Sequence, residues 1–189
     1  MKYFQDQPFE GENLPTGQIE KGEYENCTFK KCNFQRADFS GYQFIDCTFI
    51  DSDLTLVKLT NTLLRGVQFS SSKLMGVMFD AALEFGLAIG FHSCVLNNSS
   101  FYKLNLKDTQ FINSTLKEVD FTDANLINSL FDNCDLEGSV FENTDLQKAD
   151  FSTAFNYNID LNRNKVIHSK HSVMGGLQLL SSLGLVIKP

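Results

Sequence analysis

A large apolar side chain returns at every fifth residue of this chain, and that period belongs to neither ordinary backbone element. On an α-helix, five residues overshoot one turn by about 140°. On a flat strand, an odd step throws successive large residues onto opposite faces. One phase of these central positions runs from Phe4 through Leu14, Tyr24, Phe44 and Leu64 to Phe79. A second, offset by two residues, runs from Phe91 to Phe151 and alternates Phe with Leu. Sixteen of the 18 Phe are centres, against about one in five for random placement, so chance is no competitor.

Two places before most centres stands a small or β-branched residue, such as Cys27, Ala37, Val57, Ser114, Ala124 and Thr144. One large and one small inward residue per five require the chain to bend between short strand-like pieces. Four bends close a square, so about 20 residues make one coil, and coils stack at the strand spacing of about 4.8 Å. Each centre then lies over the centre one coil away, which predicts ladders of Phe and Leu along a filled tube. All five cysteines occupy the small position, so their spacing follows the repeat rather than any metal-ligand pattern, and buried Cys serves well as a small hydrophobe.

The units Ala37-Asp38-Phe39-Ser40-Gly41, Cys134-Asp135-Leu136-Glu137-Gly138 and Ala149-Asp150-Phe151-Ser152 carry a pattern of small, Asp or Asn, Leu or Phe, polar, then often Gly. This pattern resembles the pentapeptide-repeat family over about residues 22–161. The resemblance implies an all-β fold, a right-handed quadrilateral β-helix, with a short C-terminal helix and strand. Residues 1–21 read as an imperfect first coil, because Lys2, Gln7, Glu12 and Gly17 stand where small residues belong. The phase slips across Asp80–Gly90, either as a bulge the stack absorbs or as a loop offered to a partner.

After Leu161 the chain turns basic and then apolar. Ser172 suits an N-cap. Val173, Leu177, Leu180 and Gly184 fall on one helical stripe flanked by Met174 and Leu183, and Leu185–Ile187 reads as a short strand. Residues 162–189 therefore cap the tube or pair two chains. The layout looks like that of the Qnr and MfpA branch of the family, which implies a homodimer through Val173, Met174, Leu177, Leu180 and Leu183.

No chemistry is legible. The three histidines lack companions for a metal site, and no phosphate loop, nucleophile elbow or HExxH motif is present, so no enzyme and no cofactor is expected. The first residues carry acids where an export signal has its apolar core, and the odd cysteine count suits free thiols, so a cytoplasmic site of action is expected. The apolar run Leu185–Ile187 is too short to span a bilayer.

What remains is surface. The net charge of −7 argues against nucleic-acid binding, which needs cationic groups to meet phosphate. From Glu118 to Gln147 there are eight acids and no base. With five residues to a wall, Asp120, Asp123 and Glu142 share one wall and Glu118, Asp135 and Glu137 its neighbour, with Lys117 the one base between them. Over roughly 7 Å of tube this charge density matches or exceeds that of duplex DNA, which carries a charge every ~1.7 Å. Asp120 and Asp135 sit just before a centre, where turn hydrogen bonds also explain them. Resemblance to Qnr and MfpA implies a DNA mimic engaging a type II topoisomerase (gyrase or topoisomerase IV), with quinolone protection. The coils from Phe91 onward run without the projecting loops of Qnr proteins, so the loopless MfpA type is the nearer analogue. A structural scaffold for another protein partner is the competing reading.

Overall fold

The computed structural model describes residues 1–11 and 19–185. Glu12, Leu14 and Gly17, and Val186 and Ile187 of the expected terminal strand, lie outside the described residues. Among the described residues every strand pairing is parallel, and the chain winds through about eight turns of a β-solenoid. One sheet of nine strands forms the first wall: β2 (Pro8–Glu10), β4 (Thr28–Lys30), β6 (Thr48–Ile50), β8 (Val67–Ser70), β9 (Ile89–His92), β10 (Gln110–Ile112), β11 (Leu130–Asp132), β12 (Asp150–Phe151) and β13 (Lys170–His171). A sheet of four, β1 (Lys2–Gln5), β3 (Gly22–Glu25), β5 (Gln43–Ile45) and β7 (Leu63–Arg65), forms the lower part of the fourth wall. The second and third walls are ladders of single bridges, such as Thr115↔Asp135↔Phe155 and Met78↔Ser100↔Asp120↔Val140.

Three positions of each five explain why the chain folds this way. The centres from Ile19 to Phe151 are buried, and on the first wall they stack in one column that starts at half-buried Phe9, with Phe111–Phe131 centroids 4.8 Å apart and Phe131–Phe151 4.6 Å. Rings on the third wall meet that column edge-on, as Phe121 meets Phe131 at 89°, a favourable aromatic geometry. The small position turns its side chain back on the backbone: Ser52 Oγ donates to the Ile50 and Phe29 carbonyls, and Cys134 Sγ donates likewise to Asp132 and Phe111. Two places after the centre the backbone turns left-handed, with φ between +50° and +62° at the non-glycine residues. Asn, Asp and Gly, which tolerate that conformation best, are common there.

The phase slip is a bulge on the fourth wall. Leu83 N–H reaches the Thr62 carbonyl and Ala88 N–H reaches Leu64, so residues 84–87 bridge one rung of the ladder. Leu87 turns inward against the core and Phe85 is left 90% exposed at the tip, beside Gly86 at φ +75°. The other walls pass this level intact but in a 22-residue coil: Phe69 pairs with Phe91, Lys73 with Val95 and Met78 with Ser100. The register between the two halves, open in the sequence, is thereby settled.

At the C-terminal end the repeat dissolves. Tyr157, rather than the in-phase Asn156, is buried, and Phe155 is turned outward. His171 takes the next central position and lies parallel on Phe151, centroids 5.5 Å apart. Helix α1 (Val173–Leu180) follows, with Ser172 Oγ accepting the Gly175 N–H at 3.0 Å as the N-cap. It is shorter than the expected stripe: Ser181–Leu183 form a 3-10 turn, and Gly184 at φ +72° closes it. Among the described residues, no helix is long and apolar enough to cross a membrane.

Candidate interaction surface

Stacking brings the six predicted acids onto adjoining coils. On the third wall Asp123 N–H donates to the Glu142 carbonyl, and Asp120 lies in bridge register with Val140. On the second, Glu118 N–H donates to the Glu137 carbonyl, and Asp135 lies in register with Thr115. They differ in what their carboxylates do. Asp120 Oδ1 accepts its own turn N–H from Thr122 at 2.8 Å, and Asp135 Oδ1 accepts from Glu137 N–H and Asn156 Nδ2. Both are turn-forming residues, and both are half-buried. The Glu118 and Asp123 side chains are exposed and, among the described residues, make neither hydrogen bond nor ion pair, with Lys103 one coil below on the third wall within reach of the Asp123 charge.

The stripe is also partly neutralised. Lys117 Nζ sits 2.7 Å from Glu137 and 3.1 Å from Asp135. Its bonds to Glu137 first, and Asp135 second, hold its pKa above the ordinary lysine value. Partial burial works to raise the Asp135 carboxyl, but the bonds from Asn156 and Lys117 outweigh it and keep it below the usual range. Lys117 is not the one base on these walls. Arg163, one coil beyond Glu142, contacts that carboxylate at 2.9 Å and Asp160 at 3.6 Å. A reading confined to residues 118–147 misses it; the 20-residue register would have found it.

The cysteines are free and buried. Burial pushes the thiols of Cys32, Cys47 and Cys94 up to about 11 and that of Cys134 to about 12, far from the thiolate form that metals and electrophiles require.

Of the residues expected at a dimer contact, Val173 and Met174 are 81% and 74% exposed, Leu177 and Leu183 are also exposed, and Leu180 is half-buried. The helix faces the tube with Gly175 and Leu179 instead. Beside it an open groove of about 540 Å³ is lined by Phe155, Tyr157, Met174, Leu177 and Leu185, among others.

The family pattern described as a pentapeptide repeat region matches residues 23–83 and 88–169, and its gap coincides with the bulge at 84–87. No curated protein sequence matches the chain. Among solved structures, two trypsin-treated variants of QnrB1, described as a plasmid-mediated fluoroquinolone resistance protein, are similar in fold. One is 19% identical with a TM-score of 0.50, covering 98% of this chain and 97% of its own. The other is 17% identical with a TM-score of 0.53, covering 99% of each.

Proposed function

Because this chain belongs to the pentapeptide-repeat family, a solenoid packed solid with rings and leucines, we propose that it acts through its outer surface as a non-catalytic binding protein. Its partner is a protein with a basic groove made for DNA; on the sequence resemblance to the Qnr and MfpA branch that partner is a type II topoisomerase, gyrase first, with protection from quinolones as the consequence. One observation carries this reading: carboxylates gather on adjoining coils of two neighbouring walls, with those of Glu118 and Asp123 exposed and, among the described residues, in no ion pair. Such a rod would present negative charge at a spacing close to that of a duplex. Its site of action would be the cytoplasm. Two copies would join through Val173, Met174, Leu177, Leu180 and Leu183.

A second reading is supported by the pairing of Glu137 with Lys117 and of Glu142 with Arg163, which shortens the negative stripe. On this reading the rod is a scaffold for a protein that does not bind DNA.

The test is a gyrase supercoiling assay, with and without a fluoroquinolone, using the protein and its Glu118→Lys/Asp123→Lys variant. Neither carboxylate is tied into the fold, and lysine already occupies the same left-handed position at Lys31, Lys103 and Lys148, so the variant is expected to fold. Inhibition or drug protection that the variant loses is the expected result. An inert protein, or a variant as active as the parent, would leave the scaffold reading.

A further inference from the structure

Below the acidic coils, the same two walls carry an apolar corner. Leu56, Met75 and Met78 are 46%, 36% and 50% exposed. Leu56 stands at φ +57°, and among the described residues it is the one apolar side chain in that left-handed position. There a Cβ crowds the following carbonyl, a cost that Asn and Asp offset with local hydrogen bonds and leucine does not. Gly76 replaces a side chain one coil up, and Leu56 Cδ2 lies 2.7 Å from where its Cβ would stand. The leucine thus spreads over the glycine next to Met75, whose carbonyl accepts the Leu56 N–H. A conformationally costly leucine and two adaptable methionines are presented outward, where the core gains nothing from them.

The corner is continuous with the acids. On the third wall Met78, Ser100 and Asp120 stand in successive bridge register. On the second, Gly76 N–H donates to the Asn97 carbonyl and Asn97 Oδ1 accepts the Lys117 N–H, leading to Glu118 and Glu137. One coil, which carries Lys103 beside Tyr102 on the third wall and Asn97 and Asn98 on the second, therefore separates apolar corner from acid stripe, a distance of two coil spacings, or about 10 Å.

We propose that corner and acidic walls form a single interaction surface, whose occupant is a protein presenting an apolar ridge beside a basic patch. This rests on the acidic walls being a binding surface and adds what touches the rest of it. Charge complementarity selects the occupant: the acids repel nucleic acid and anionic lipid, and a groove lined by cations alone would leave the methionines and Leu56 without a counterpart. Apolar contact supplies the part of the affinity that salt does not screen, while the carboxylates set orientation and encounter rate.

The test places a photo-crosslinking side chain at Met78, at Asp123 or, as a control on the first wall, at Gln110, in the full chain inside the native host. The expected result is an adduct with the same protein from the first two positions and not the third. The partner peptide joined at Met78 carries apolar side chains next to Lys or Arg. Changing Met75→Gln and Met78→Gln on the exposed corner lowers the Asp123 adduct about tenfold. Adducts from Asp123 without Met78, an adduct only with a second copy of this chain, no adduct at either position, or a glutamine pair without effect would each overturn the proposal. If both positions capture one protein of the stated chemistry that is not a topoisomerase, the partner proposed above falls and this surface stands.

Discussion

At the scale of single residues, His171 shows how a repeat position is reused at an end. It continues the ring column over Phe151, yet it is polar and must satisfy two ring nitrogens. The Ser169 hydroxyl is committed to the Val166 carbonyl at 2.7 Å, so Nε2 donates to Ser169 Oγ at 2.9 Å and Nδ1 accepts from the Tyr157 hydroxyl at 3.0 Å. That network suits the neutral imidazole. Burial holds its pKa below the ordinary 6.5; Asp150, itself 3.1 Å from Lys170, works in the opposite direction and does not prevail. As pH falls through about 6.5 the unfolded chain takes up this proton before the folded one does. The stabilisation is therefore complete above 6.5 and is lost progressively as pH falls toward the folded value. Thermal melts from about pH 8 to about pH 5 should show a decline that His171→Phe removes; an unchanged profile in the variant would refute the assignment.

At the scale of elements, the two glycines of α1 do opposite things although they are adjacent in sequence. A Cβ on Gly175 would collide with the Tyr157 hydroxyl and stand 2.9 Å from Cζ of the same ring, because this face of the helix lies directly on the last coil. A Cβ on Gly176 would meet nothing within 4 Å. Gly176→Ala should therefore stabilise the helix by up to ~1 kcal/mol, the usual gain from removing backbone freedom. Gly175→Ala gains the same propensity but must displace Tyr157 or lift the helix, so it should speed hydrogen exchange of the α1 amides. Equal effects of the two changes would mean that α1 does not dock as described. By propensity alone a Gly-Gly pair counts against a helix; contact with Tyr157 gives the first glycine its reason.

At the scale of the whole molecule, a tube of stacked coils has two ends, and each must be covered. At the C-terminal end the cover is α1, which leaves Val173 and Met174 more than two-thirds exposed beside the groove that Phe155 and Leu185 help to line. Apolar surface of that kind on a lone chain favours a two-fold partner, the commonest homo-oligomer arrangement. Light scattering should give twice the chain mass of 21.3 kDa for the protein and the single mass for Val173→Glu/Met174→Glu. Neither side chain supports the fold of its own chain, so the variant should retain its β-solenoid spectrum. A parent that runs at the single mass would reject the dimer.

The five-residue period was enough to specify the coil, the inward residues and the walls on which Glu118, Asp123 and Glu142 fall, because each unit bends by rules that involve only its own neighbours. The turn-forming duty of Asp120 and Asp135 was legible for the same reason, since it joins residues two apart. Contacts between coils were another matter. Lys117 with Glu137, Arg163 with Glu142, and Leu56 spread over Gly76 join residues 20 or 21 positions apart, and which side chains meet depends on how one coil seats on the next. Across residues 84–87 that step becomes 22, as the ladders of Phe69 on Phe91 and Met78 on Ser100 show, and the bonds of Leu83 to Thr62 and of Ala88 to Leu64 show where the two additional residues are absorbed.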